Sequence, residues 1–185
     1  MSAPAISLHT VSKAYEFKIH KGLRGFLRPE KKSVEAVRAV SFKVGPGEAV
    51  AFIGPNGAGK STTIKMLSGI LTPTSGKVRV LGLDPIAQRR ELAMRIGTVF
   101  WQRSQLVFNL PLTDSFELTA QMYRVPKGEV KGRVEKLIEQ FDLSSFVDQP
   151  VRKLSLGQRM RAEVANALLH EPAIEPRQIV GLFRA

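Results

Sequence analysis

Apolar and polar residues alternate from Ala5 to Val11, the period of a half-buried strand. Val37, Val40, Phe42 and Val44 suggest a second strand within Val34 to Val44, closed by the tight turn Gly45-Pro46-Gly47-Glu48. Ala49 to Ile53 is an unbroken apolar run, the pattern of a buried strand, and Ile64, Leu67, Ile70 and Leu71 then recur at helical spacing. Pro73, Ser75 and Gly76 mark a turn before a short alternating strand, Lys77 to Leu81. Asp84 as N-cap and Pro85 at the first helical position predict a helix to about Arg95, followed by a β-prone segment, Ile96 to Trp101, that ends at Gln102.

From Thr113 the pattern becomes helical. Thr113 or Asp114 caps a helix through Tyr123, and Pro126 with Gly128 breaks it. Val130, Val134, Leu137, Ile138 and Phe141 fall on one helix face. Asp142 to Pro150 is a connection, and Ser155 caps a last helix to about Leu169. No internal repeat and no low-complexity tract occurs.

A chain of 185 residues is one domain's worth, able to bury roughly 70% of its unfolded surface. It has no cysteine, which excludes a disulfide scaffold and cysteine-ligated zinc. No signal-peptide pattern and no run approaching 18 apolar residues is evident, so the expectation is a soluble cytoplasmic chain. The net charge of +12 is concentrated in part in Lys18, Lys21, Arg24, Arg28, Lys31 and Lys32, set against Glu30. With Gly22, Gly25 and Pro29 nearby, this segment reads as an exposed loop or hairpin tip. It is a solvated loop, an attractor of anionic lipid or a nucleic-acid contact, and charge alone does not choose among them.

The chemistry lies at residues 54–62, Gly-Pro-Asn-Gly-Ala-Gly-Lys-Ser-Thr. Gly54, Gly59, Lys60 and Ser61 occupy the fixed positions of the phosphate-binding loop G-x-x-x-x-G-K-[ST], between a strand pattern and a helix pattern. In the loop that Pro55 opens, glycines let the backbone N–H groups of Asn56, Gly57, Ala58, Gly59 and beyond turn toward phosphate oxygens, and the following helix directs its positive end to the same point. Lys60 is placed to reach the β- and γ-phosphates and the Ser61 hydroxyl, beside Thr62, to ligate Mg²⁺. The chain is expected to bind a nucleoside triphosphate.

Leu154-Ser155-Leu156-Gly157-Gln158-Arg159 resembles the signature sequence of ABC transporter ATP-binding subunits, with Leu156 in place of the usual first glycine. Tyr15 resembles the family's adenine-stacking aromatic, and Gln102 resembles its Mg²⁺-ligating glutamine that also senses the membrane partner. Together with the phosphate loop these motifs run in the family's order over residues 5 to about 172. The resemblance implies an α/β P-loop NTPase (RecA-like) core, an N-terminal antiparallel β-subdomain and an α-helical signature subdomain at about 104–160. It implies ATP and Mg²⁺ as ligands, with Ser155, Gly157 and Gln158 reaching the nucleotide held by a second ATP-binding subunit. It also implies a membrane-spanning permease as partner, a place on the cytoplasmic face of the cell membrane, and no nucleic acid. Leu156 and the basic N-terminal insertion resemble export-type members, and Ser104 to Leu110 is a candidate permease contact.

After Leu168-Leu169-His170-Glu171-Pro172 the family continues with an apolar strand and Asp-Glu, which support Mg²⁺ and polarise the attacking water. This chain continues Ala173-Ile174-Glu175-Pro176-Arg177-Gln178. No catalytic residue is therefore identified, since the acidic pair and the family's later γ-phosphate histidine are missing. The expectation is a partial ATP-binding domain over 1–172 and a divergent tail over 173–185, from a truncated or frame-shifted reading, with ATP binding weakened or absent and hydrolysis near background. The apolar run Ile179 to Phe183 also suits packing over an exposed sheet. Two competing readings are a non-catalytic fragment and a soluble ABC-type ATPase acting on ribosome or DNA. Members of the latter class usually carry two phosphate loops or a long coiled-coil insertion, and neither occurs here.

Overall fold

A computed structural model describes residues 3–19, 30–100, 104–174 and 179–181. The chain divides into two compact units, residues 1–93 with 178–185, and residues 94–177.

In the first unit, β1 (Ile6–Ile19), β2 (Glu30–Val44) and β4 (Ser75–Val80) form an antiparallel sheet in the order β2-β1-β4. Ile6 lies opposite both Val44 and Val80, and Leu8 opposite Phe42 and Val78. Ile6, Leu8, Val44, Val78 and Val80 are all buried, so one face of the sheet is core. Each such side chain contributes roughly 1.5–3 kcal/mol on burial. The alternation in Ala5 to Val11 announces only the first part of β1. Bulges between Leu8 and Ala14 interrupt the period of two, which is why the strand's continuation to Ile19 is not visible as alternation. Thr10 and Ala39 adopt left-handed φ at the bulge, and their amides donate to Ser41 Oγ and Ser12 Oγ, both at 2.8 Å. Of the basic segment, Lys18, Lys31 and Lys32 stand on the strands of this hairpin, whereas residues 20–29 lie outside the described residues.

The strand before the phosphate loop, β3 (Val50–Phe52), is short and not buried as its apolar run predicts. Ile53 is 80% exposed. Its partner is β5 (Ile179–Gly181), parallel, with Val50, Ala51 and Phe52 opposite Ile179, Val180 and Gly181. The apolar tail therefore joins the sheet edge-on through 179–181.

Helix α1 (Lys60–Leu67) ends a turn earlier than the periodicity predicts. Ile70 N donates to Lys65 O and Gly69 N to Met66 O, a Schellman closure with Gly69 at φ +71. Ile70 and Leu71 therefore follow the helix, and Ile70 is 55% exposed. The helix expected from Asp84 to Arg95 is only α2 (Arg89–Ala93). Asp84 does cap, but it caps a turn: its carboxylate accepts from Ile86 N and Ala87 N at 3.0 and 3.1 Å and pairs with Arg79. Those backbone bonds, then Arg79, hold its pKa below the ordinary value.

The second unit packs α3 (Leu112–Met122), α4 (Lys127–Gln140) and α5 (Leu156–Leu168), with a 3₁₀ turn at Val151–Lys153, around Leu112, Phe116, Leu143, Phe146, Val151, Ala162, Ala165 and Leu169. Pro111 and Pro126, in extended conformation, occupy the N-cap positions of α3 and α4, so Thr113 and Asp114 lie inside α3 and Gly128 inside α4. The β-prone run from Ile96 is not a strand among the described residues. Ile96 makes one parallel bridge to Ile174, with Gly97 N donating to Ile174 O and Ala173 N to Arg95 O.

Candidate nucleotide-binding site

Residues 54–59 leave β3 as a loop, and α1 begins at Lys60. Ala58 N donates to Pro55 O at 3.2 Å, closing a turn, and Gly57 (φ +86) and Gly59 (φ +81) take left-handed conformations open to glycine. Gly59 is constrained a second way. A side chain there would set its Cβ 2.4 Å from the Ala36 carbonyl oxygen and 2.9 Å from Val37 Cγ2, so the loop rests directly on β2. Thr63 reinforces the corner, donating from both N (2.8 Å) and Oγ1 (3.0 Å) to Gly59 O.

Lys60 is 6% exposed. Its Nζ turns back into the loop and donates to Gly54 O at 2.5 Å and Pro55 O at 2.8 Å. An ammonium group is thereby held at the concave side of a loop whose residues 55–58 are themselves open to solvent. The first turn of α1 contains no acidic residue, which leaves the helix's positive end uncompensated by the chain. Ser61 and Thr62, on that first turn, are half-buried. A buried cation, a helix N-terminus and glycine-rich backbone converge on a single point, which is the donor set a polyphosphate requires. The Ser61 hydroxyl is the residue there that suits Mg²⁺; among the described residues no cluster of three or more His, Cys, Asp or Glu offers an independent metal site.

Tyr15 is half-buried on β1 opposite Val34, two residues along β2 from the Ala36 carbonyl that Gly59 abuts. Lys13 Nζ lies 5.4 Å from its ring centroid and donates to Thr72 O. The structure thus sets Tyr15 on the strand pair that Gly59 of the loop abuts. Gln102 lies outside the described residues.

In the second unit Ser155 is the N-cap of α5, and the sequence motif forms a full capping box. Ser155 Oγ accepts from Gln158 N at 3.2 Å, and Ser155 N donates to Gln158 Oε1 at 2.8 Å. The N–H groups of Leu156 and Gly157 are not used by the box. Gly157 is exposed with open space around it, and Leu156 is 68% exposed.

Sequence reasoning missed Glu163. On α5, 6% exposed, its carboxylate accepts from Ser104 Oγ and from Gln105 N at 3.2 Å, while Gln105 Nε2 donates to Thr98 O at 2.8 Å. A charged residue among Ala162, Val164 and Ala165 was the available signal.

The loop geometry defines the class of P-loop nucleotide-binding proteins. Residues 37–175 match the family model described as ABC transporter. The chain is 34% identical over 145 residues to the ABC transporter ATP-binding protein NatA of Bacillus subtilis, covering 78% of this chain and 59% of that protein. It is 38% identical over 134 residues to the Nod factor export ATP-binding protein I of Cupriavidus metallidurans, covering 72% and 44%. Proteins named for import also occur among the matches. In fold it is similar to the dimeric structure of a bacterial ABC transporter cassette, with TM-score 0.73 and 23% identity over 97% of this chain and 88% of that one. The chain belongs to the ABC transporter ATP-binding family and has its α/β fold. It spans about three-fifths or less of the length of these curated relatives.

Proposed function

We propose that this chain is an ATP-binding subunit of an ABC transporter and acts on the cytoplasmic face of a membrane with a membrane-spanning permease. Membership of the family supports ATP as ligand, and the observation that carries the site is the Lys60 ammonium held inside the loop by Gly54 and Pro55 carbonyls. Backbone donors of residues 56–62 and Lys60 hold the phosphates, Tyr15 faces the adenine, and Ser61 with Gln102 holds Mg²⁺. When bound, the metal neutralises charge between the phosphates. A second subunit supplies Ser155, Gly157 and Gln158 at the opposite side, with the free amides at the start of its α5 directed to the terminal phosphate. Among the described residues no helix is long and apolar enough to cross a membrane.

Two finer points belong to the same proposal. The direction is export, supported by Leu156, the basic insertion and the relative named for Nod factor export. The 185-residue polypeptide binds ATP without appreciable turnover, because the apolar run after Pro172 is only Ala173-Ile174 and Glu175-Pro176-Arg177-Gln178 follow it, with no Asp-Glu pair to polarise water.

The test is titration of a fluorescent ATP analogue with Mg²⁺ into the purified protein, alongside phosphate release. Saturable binding is expected, weakened roughly 10–100-fold by Lys60→Ala, from about 1.5–3 kcal/mol for a charged hydrogen-bonding group. Phosphate release should stay at background. Absence of binding to the wild-type chain overturns the site assignment; robust Lys60-dependent hydrolysis overturns the deficiency. Substrate accumulation inside cells, measured with the permease, overturns export.

A further inference from the structure

The β4 strand accompanies β1 only as far as Ser12, opposite Ser75, whereas β1 and β2 continue together to Ile19 opposite Glu30. Ala14 still exchanges hydrogen bonds with Thr74 Oγ1, and beyond it residues 15–19 and 30–34 are a two-stranded ribbon, a form marginal in water by itself. Directly opposed residues share a face, and neighbours along a strand alternate faces. One face carries Glu16, Ser33, Lys18 and Lys31; the other carries Tyr15, Val34, Phe17 and Lys32. The three lysines and Glu16 are exposed, and so are Phe17 (48%) and Val34 (45%).

Lys18 stands directly opposite Lys31, and like charges in register weaken a strand pair. Among the described residues no carboxylate pairs with Lys18, Lys31 or Lys32. The ribbon therefore carries two features that lower its own stability, opposed lysines and exposed apolar side chains. The face of Lys32, Phe17 and Val34 becomes favourable against one kind of surface, extended and anionic with an apolar layer beneath the charge, and Lys18 and Lys31 on the opposite face feel the same negative potential across a ribbon no thicker than about one Debye length (about 10 Å). Lysines gain from the negative potential of a leaflet, and Phe17 and Val34 gain from the headgroup–acyl boundary. A nucleic acid would use the lysines but has no use for the aliphatic Val34 beside Lys32.

We infer that the outer part of this ribbon, residues 16–19 and 30–34, docks on an anionic lipid bilayer. The membrane location in the proposed function supplies only the proximity; ribbon geometry and charge supply the recognition.

The test is co-sedimentation of the purified 185-residue protein with vesicles of phosphatidylcholine alone or mixed equally with phosphatidylglycerol. Binding is expected only to the mixed vesicles and is expected to weaken as salt rises. Each lysine near the surface contributes about a fivefold factor (about 1 kcal/mol), so Lys18→Gln, Lys31→Gln and Lys32→Gln together lower affinity on the order of 100-fold. Glu16→Gln, which removes a negative charge from the same face, should tighten binding about fivefold, a gain that misfolding does not mimic. Lys60→Ala separates this inference from the ATP reading, because it should weaken nucleotide binding and leave vesicle binding intact. Equal binding to both vesicle types, an unaffected triple variant, or lysine-dependent binding to duplex DNA with indifference to lipid would each overturn the inference.

Discussion

Gly59 packs so closely on β2 that an added Cβ would sit 2.4 Å from the carbonyl oxygen of Ala36. The glycine of the phosphate loop therefore serves two purposes, a left-handed turn and a contact with a strand more than twenty residues earlier. Gly59→Ala should destabilise the first unit by about 2–3 kcal/mol, the scale of a strained backbone plus overpacking, and abolish nucleotide binding. Gly57→Ala, with open space around the site but φ +86, should cost only about 1 kcal/mol. Urea midpoints of the two variants compare them directly, and equal midpoints would refute the packing argument.

The Glu163–Ser104 contact joins α5 to the segment that follows residue 103. Glu163→Ala removes the buried acceptor of both Ser104 Oγ and Gln105 N and should cost about 1.5–3 kcal/mol, the scale of a hydrogen bond to a charged group. A double-mutant cycle with Ser104→Ala should give a coupling energy near 1–2 kcal/mol; strict additivity would show that the two side chains act independently.

His170 ties the end of α5 to Ile96. Its Nε2 donates to the Ile96 carbonyl at 3.2 Å and its ring stacks on Tyr123 at 3.9 Å, which leaves Nδ1 buried as the bare acceptor. Burial, with Arg133 nearby, lowers its pKa from 6.5, against a smaller opposing effect of the Ile96 bond. A base whose pKa is depressed on folding binds more protons when unfolded. Its contribution to stability is thus complete above pH 6.5 and is lost as pH falls from 6.5 through the lower folded value. Unfolding curves at a series of pH values should show this decline, and His170→Gln should flatten it.

Asn166 is 1% exposed on α5, and neither of its side-chain polar atoms has a partner among the described residues. Replacing it with a similarly sized apolar group removes that desolvation cost. Asn166→Leu should raise the urea midpoint, by about 1 kcal/mol of stability. A loss of stability would mean that the amide is satisfied in solution.

Much of the site was readable from local spacing. The loop at 54–62 and the Ser155 cap are contiguous motifs, and their backbone geometry depends on glycine φ and on a hydroxyl three residues from its donor. The apolar runs were read less well. Ala49 to Ile53 and Ile64 to Leu71 have the right composition for a buried strand and a continuous helix, but burial depends on neighbours. In the described structure β3 has only the short β5 beside it, and Gly69 turns the chain before Ile70. Glu163 gave no periodic signal because its partner is 59 residues away.

The amino-acid order alone determined the elements whose energetics are local: a glycine-rich anion loop before a helix, a capped signature helix, and the family to which they belong. Tertiary structure decided the rest. The seat of Gly59 on Ala36, the burial of Glu163 against Ser104, the two-stranded ribbon beyond Ala14 and the joining of Ile179–Gly181 to β3 all depend on residues far apart in the chain. Such contacts arise from packing and loop closure, which leave no periodic trace in the sequence around either partner.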